Sequence, residues 1–423
     1  MYPFCTLPDW VELEHNVATI LAEQERHGWY FDERVAWKLA SSLEQELRTI
    51  EKEVLRRHAY VAGKEFTPKR DNKTSGYVSG ATFTRLTETN ITSRDHISWI
   101  LQNHYDWKPD KLTKEGKAVI DEPVLKEIGS EISMLFLRAL TVTKMLGMLS
   151  NGVNAWLKLV TKSSRIHHHC SITTNSHRAS HRKPNISQTP SDHEIRQLFK
   201  PSPGLVMVGA DLKSIELRVL AHLLGKFDNG RYAEILLNGD IHQVNADAIG
   251  ISRKQVKTIT YGWLYGQSDT GIGLSFDSSL TQEKAKKKGA EIRDAFVKAI
   301  PGMDRLLAGV NAAAQRGYIF SIDRRKIVVD SKHKCLNYIC QSSAGVISRR
   351  WLYQAYELMK EKNLKAHQLG YIHDELQYEC DPKHSPELKF ILEYTARTAG
   401  EYYNLRCPIE AEATQGKSWA ETH

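Results

Sequence analysis

The sequence predicts an α+β chain in which long helices alternate with a few strands. Three observations carry this reading. Residues 12–57 and 93–149 place apolar side chains at helical spacing. The run 204–211, GLVMVGAD, is apolar and β-branched, bounded by Pro203 and ending on a carboxylate. YIFSIDRRKIVVD and LGYIHDELQYEC each read as a hairpin.

Taken in order, WVELEHNVATILAEQERHGW puts Val17, Ile20, Leu21 and Gln24 on one helical face, and Gly28 interrupts it. DERVAWKLASSLEQELRTIEKEVLRR continues with charges alternating at helical steps. Residues 58–92 are polar, rich in Gly, Thr and Lys, and without period, as expected of an exposed tip or insertion. SRDHISWILQN, EPVLKEI and the run 135–149 return to helix. From about 165 the chain turns polar and basic. After the buried strand, Ser214 is placed to cap the helix IELRVLAHLL. Helical segments dominate 232–316, and CLNYICQSSAGVISRRWLYQAYELMK forms a long helix between the two hairpins. No internal repeat is present.

At 423 residues with 41% hydrophobic side chains, the chain can bury a large core in two or three subdomains. No apolar stretch reads as a membrane span, and MYPFCTLPDW lacks a signal-peptide pattern. Cysteines 5, 170, 335, 340, 380 and 407 form no C-x-x-C pair, so reduced thiols and a cytoplasmic location are expected. The net charge of +8, with basic groups at 56–57, 69–70, 178–183, 284–288 and 324–326, permits phosphate-backbone binding. A charge run is more often a solvated helix face.

Two carboxylates stand out. Asp211 ends the buried strand, and Asp374 sits with Glu375 in the turn of YIHDEL, 163 positions later (374 − 211). Strand ends hold side chains rigidly. Two such acids can bridge a pair of Mg²⁺ ions roughly 3.5–4 Å apart, the arrangement that activates a hydroxyl and stabilises a leaving pyrophosphate. Taken alone, each aspartate is equally a turn former.

Between them, SRKQVKTITYGWLYG places Ser252 at an N-cap and steps Arg253, Lys257, Tyr261 and Tyr265 around one face, at about 0°, 40°, 80° and 120°. Val256, Ile259 and Trp263 fall near 300°, 240° and 280°, the apolar face. Two cations followed by two rings suit a nucleotide, phosphates at one end and sugar and base at the other.

Together VGADLKSIELRVLAH, GDIH, RKQVKTITYGWLYG, IDRRK, the N-x-x-x-Q of 337–341 and YIHDEL resemble the A family of DNA polymerases in order and spacing. SRDHI, the ending WAETH and the segment 165–190 resemble its phage replicative branch. The resemblance implies a right-hand fold: a thumb at 1–150 with 58–92 as its tip, a palm from 151–224 and 318–423, and fingers at 225–317. It implies that Asp211, Asp374 and the Leu212 carbonyl hold two Mg²⁺ ions. His242, Arg253 and Lys257 would grip the triphosphate of a dNTP, with Lys257 as proton donor to pyrophosphate. Glu216 would pair with Tyr261 beneath the sugar and exclude a 2′-hydroxyl. Tyr265 and Gly262 would border the templating base. Arg178, Asn337 and Gln341 would contact the nascent pair or the minor groove of primer–template DNA, and His373 and His423 would lie near the primer end.

Minor-groove donors make physical sense here, because purine N3 and pyrimidine O2 occupy similar positions in every correct pair. A tyrosine at 261 accompanies, in the resembled family, acceptance of 3′-deoxy nucleotides. The family's T-G-R reads Ser176-His177-Arg178 in this chain, with His in place of the flexible Gly. A zinc site in the histidine-rich segment 167–193 is not expected, since adjacent histidines do not converge on one ion; solvated or DNA-contacting rings are.

About ten residues precede the first thumb-like helix, so no proofreading exonuclease is expected in this sequence, and a separate exonuclease or processivity factor would be a partner. The 58–92 stretch is shorter than the insertion by which some phage relatives recruit a thioredoxin clamp, although GYVSGATFT resembles its border; clamp binding is not expected. Two rival readings remain at this point, a single-subunit RNA polymerase and a catalytically idle DNA-binding accessory factor.

Overall fold

The computed structural model describes residues 8–113, 115–278, 280–331 and 334–423. In chain order come α1 (Asp9–His27), β1 (Trp29–Phe31), α2 (Glu33–Arg57), β2 (Tyr60–Phe66), β3 (Phe83–Glu88), α3 (Arg94–His104), α4 (Glu122–Ile128), α5 (Glu131–Leu146) and α6 (Trp156–Leu159). Then follow β4 (Arg165–Ile166), β5 (His169–Ser171), β6 (Ser180–Arg182), α7 (His193–Arg196), β7 (Phe199–Lys200), β8 (Val206–Leu212) and α8 (Ile215–Leu224). A helical stretch holds α9 (Arg231–Asn238), α10 (Ile241–Ile249), α11 (Arg253–Leu264), α12 (Asp269–Phe276), α13 (Gln282–Ala299) and α14 (Met303–Ala314). The chain closes with β9 (Tyr318–Phe320), β10 (Lys326–Val328), α15 (Cys335–Glu361), β11 (Ala366–Ile372), β12 (Glu375–Cys380), α16 (Ser385–Tyr402) and β13 (Ala411–Gly416).

The contacts divide the chain into two units, 33–158 and 1–32 with 159–423. In the first, α2 buries Ala36, Ala40, Leu43, Ile50 and Val54, and α5 buries Ile132, Phe136, Ala139 and Val142. Its helices start on side-chain caps: Ser93, Asp121 and Ser130 each accept a backbone N–H three residues on. Segment 58–92 is exposed as expected, but it is not irregular: β2 and β3 pair antiparallel. With both faces near solvent, the pair carries no alternation for a sequence to show.

One expectation needs correction. The helical run Glu131–Leu159 is long and apolar enough to cross a membrane. Its α5 portion spends much of that surface inside the 33–158 core, and the long buried face is what makes the run apolar.

The second unit is built on a four-stranded antiparallel sheet in the order β11-β12-β8-β13. Helices α15 and α16 pack together, α16 lies on β8 and β13, and α1 lies on β11 and α15. Thus α1, expected with the thumb, belongs by its contacts with the sheet. The central strand is buried on both faces, which is why it reads as a continuous apolar run. Ser214 occupies the N-cap of α8, yet its left-handed backbone (φ 49°) leaves its hydroxyl making no cap bond. Cys170, Cys335, Cys340, Cys380 and Cys407 are free and buried; Cys5 lies outside the described residues.

Candidate active site

Strand pairing brings the two distant acids together. Asp211, near the end of β8, pairs in register with Glu375 at the start of β12, and the Leu212 N–H donates to the Asp374 carbonyl at 3.0 Å. Gly209 permits the approach: a Cβ there would lie 2.3 Å from Gln377 Nε2 and 2.4 Å from the Thr422 carbonyl. Among the described residues neither aspartate has an ion-pair partner. Burial raises the Asp374 carboxyl to about 7, with Asp211 and Glu216 adding repulsion. Burial likewise raises Asp211 to about 6, with Glu375 and Glu216 adding to it and His423 opposing. Arg178 opposes the rise at Asp374 and His423 that at Asp211, but neither offsets it, and a divalent cation would add the missing positive charge.

The donor set fits Mg²⁺. Among the described residues no group of three or more His, Cys, Asp or Glu side chains is placed to hold a metal. Two carboxylates with substrate phosphates are the usual complement for Mg²⁺, and the set is all hard oxygen. Glu375, a third acid nearby, is already spent. It is a strand residue and not a turn residue, buried, accepting from Gln377 Nε2 at 2.8 Å and Trp419 Nε1 at 2.5 Å. Its other oxygen meets His423 Nδ1 at 3.0 Å, and that hydrogen bond raises the His423 pKa. His373 takes the left-handed turn position (φ 61°); Ser348 Oγ donates to its carbonyl at 2.7 Å, and burial holds its ring down to about 4.

Helix α11 begins on a capping box between Ser252 and Gln255 and buries Val256, Ile259, Thr260 and Leu264. On the other face Arg253 pairs with Asp240 at 2.6 Å, and Asp240 also caps α10. Lys257 is exposed and has no acidic partner among the described residues. His242 is buried with Nδ1 unpartnered, 5.8 Å from the Tyr261 ring, and burial lowers its pKa. Tyr261 and Tyr265 lie near parallel at 6.4 Å.

Glu216 departs from expectation. Its carboxylate accepts from Arg178 Nη2 and, at 3.3 Å, from the Tyr265 hydroxyl, not from Tyr261. The Arg178 guanidinium also lies 5.4 Å over the Tyr265 ring. The buried acid takes the nearest cation, and the ring stacked on that cation follows. Gly262 makes room for Gln267, whose Oε1 would sit 2.0 Å from a Cβ there. Asn337 is buried and donates to the Leu264 carbonyl, tying α15 to α11. Gln341 is half-buried without a hydrogen bond among the described residues.

In the histidine-rich segment His168 and His181 are buried, while His193 is exposed. His167, His168 and His169 bond the Glu25 carbonyl, Gln24 and the Glu25 carboxylate in turn, docking on the end of α1.

Residues 70–421, five-sixths of the chain, match the family described as DNA polymerase family A. The chain belongs to DNA polymerase family A. It is a DNA-directed DNA polymerase, so the RNA-polymerase and idle-accessory readings fall away. The DNA-directed DNA polymerases of Enterobacteria phage T3 and Escherichia phage T7 are each 29% identical, over 98% of this chain and 70% of theirs. DNA polymerase I of Geobacillus stearothermophilus is 25% identical over 96% of this chain and 45% of its own. The fold is the right-hand polymerase fold: the POL domain of Pol1 from M. smegmatis, solved in complex with DNA primer-template and dNTP, superposes with a TM-score of 0.77 at 23% identity. That match covers 97% of this chain and 70% of that one.

Sequence reasoning missed several buried groups in this polymerase. Glu379 is fully buried, bonded by His27, Arg165 and Ser202, and held down to about 2. Glu14, Arg325 and Arg349 form a further buried group. No local pattern marks this grouping, because Glu379 and Glu14 meet partners more than a hundred positions away.

Proposed function

We propose that this family A polymerase extends a primer 3′ end on a DNA template with dNTPs by two-metal nucleotidyl transfer, in phage DNA replication in the host cytoplasm. The observation that carries the mechanism is the pair of half-buried aspartates, without an ion-pair partner among the described residues, joined through β8 and the β11–β12 turn. Asp211, Asp374 and the Leu212 carbonyl would hold Mg²⁺, which when bound would make the primer hydroxyl a better nucleophile and stabilise leaving pyrophosphate. The M. smegmatis likeness supports primer–template and dNTP as ligands, and the T3 and T7 relatives support the phage role.

The chain's own groups do the remaining work. Lys257, exposed and without an acidic partner among the described residues, is available to the triphosphate and then to donate a proton to pyrophosphate. Arg253 would exchange Asp240 for phosphate. His242, kept neutral by burial, offers a hydrogen bond beside Tyr261. Glu216 closes the space beneath the sugar, and Tyr265 must leave it when a templating base arrives beside Gly262. Arg178, Asn337 and Gln341 serve as minor-groove donors, and His373 and His423 flank the primer end. In this reading 33–158 supplies the thumb, 225–317 the fingers, and the sheet with its helices the palm.

Primer extension by the purified chain with Mg²⁺ tests the assignment. Extension at the normal rate by Asp211→Ala or Asp374→Ala enzyme would remove these acids from the mechanism. We further propose that these 423 residues do not correct what they add, since the described residues 8–69, ahead of the family match, go to α1, β1, α2 and β2. Shortening of a mismatched primer in the absence of dNTPs would refute this, and retention of the full length would support a separate exonuclease.

A further inference from the structure

Arg178 follows a residue whose backbone is held by a buried ionic group. His177 has a left-handed backbone (φ 56°), and its carbonyl accepts from Arg349 Nη2. Arg349 is fully buried in the middle of α15. Its Nη1 binds both oxygens of Glu14 on α1, at 2.5 and 2.6 Å. Arg325 joins the same carboxylate at 2.6 Å and is balanced by Asp323 at 2.6 Å. Two arginines and two acids leave the group neutral, as burial requires. The His177 ring, kept neutral by burial near pKa 4, hydrogen-bonds Ser342 on α15. Helix α15 comes this close because residue 345 is glycine: a Cβ there would stand 2.6 Å from the His177 carbonyl oxygen.

We propose that Glu14 is a positioning residue for Arg178. It acts through Arg349, which fixes the His177 carbonyl and so aims the next side chain at Glu216 and the nascent pair. A glycine at 177 would move freely at this backbone angle; here the histidine is clamped from both sides. The proposal rests on the reading of Arg178 as a minor-groove donor.

The test compares single-turnover extension from a primer ending in guanine with one ending in 3-deazaguanine, which lacks the N3 acceptor. Wild-type enzyme should slow by about tenfold or more on the modified primer, the size of a hydrogen bond to a charged group. In Arg178→Ala that penalty should vanish. In Glu14→Gln it should fall to within about twofold, while Glu12→Gln, an exposed acid on the same helix, should keep it. Arg349→Lys is the second variant: it keeps the charge opposite Glu14 but loses the fork to His177, and should lower the penalty as well. Because the penalty is a ratio within one preparation, partial unfolding cancels, and any folded fraction reports it. A full penalty in Glu14→Gln or Arg349→Lys, with loss in Arg178→Ala, overturns the role of Glu14 and leaves the reading of Arg178 intact. No penalty in the wild type overturns both.

Discussion

The strand pairs β2–β3 and β11–β12 are both antiparallel, the first joined by the long polar segment 67–82 and the second by a tight turn, and they solve opposite problems. In β3 nearly every residue is exposed, and Leu86 keeps 66% of its surface in water. What holds that pair locally is a ring cluster, Phe66, Tyr77 and Phe83, with Arg85 over Phe66. In β12 every residue is buried. Charges on the first pair cost little, because water solvates them. The acid in the turn of the second is desolvated and rises to about 7. Carboxylates that are to grip cations would gain from the second arrangement, since a desolvated charge binds a cation more strongly than a hydrated one.

The largest consequence should appear in Asp374→Asn. Loss of a metal contact worth several kcal/mol in the transition state should slow single-turnover extension by about a thousandfold. The same variant should melt higher than wild type in EDTA at pH 8, because a desolvated charge without an ion-pair partner among the described residues is gone. A lower melting temperature would break the comparison. Asp211→Asn, whose pKa is less displaced, should gain less stability.

Next comes pH. Both acids have folded pKa values, about 6 and about 7, above the ordinary 3.8. Between these limits the folded chain holds protons that the unfolded chain releases, so metal-free stability should fall as pH rises from about 4 to about 8. Mg²⁺ competes with those protons. Its stabilisation in thermal melts should be greatest above about pH 7 and fade toward about pH 5. Equal Mg²⁺ stabilisation at both ends would separate the acids from the metal.

Gly209→Ala should cost about 1–3 kcal/mol in urea unfolding, since the new methyl group meets Gln377 and a backbone carbonyl inside the sheet. Gly63→Ala faces a comparable clash with the Arg85 carbonyl at 2.8 Å, but on an exposed pair that can shift, so its cost should be smaller. The least effect is expected from Leu86→Ser, within about 0.5 kcal/mol. A larger loss would show that β3 is covered in solution.

Much of the candidate site was legible before the fold was known. The strand 204–211 announced itself because both its faces are buried. Helix α11 was legible from Ser252 and the two faces that its spacing separates. The turn holding Asp374 was visible between two apolar runs. Less was legible where partners are remote. Nothing near Glu216 says that it will bind Arg178 and Tyr265, and nothing near Glu14 says that it will meet an arginine 335 positions away. The β2–β3 pair was hidden for the opposite reason: with both faces wet it leaves no periodic trace.

What the amino-acid order determined on its own was local: which segments coil, which extend, where caps and turns fall, and which residue types could serve a nucleotide and its metals. Periodicity and capping act within a few residues, so a linear reading captures them. The tertiary structure alone decided that β8 lies between β12 and β13, that two acids 163 positions apart share one desolvated corner, and which cation each buried carboxylate keeps. Those outcomes depend on burial and on Coulomb attraction across the assembled core, and neither exists until the chain has closed on itself.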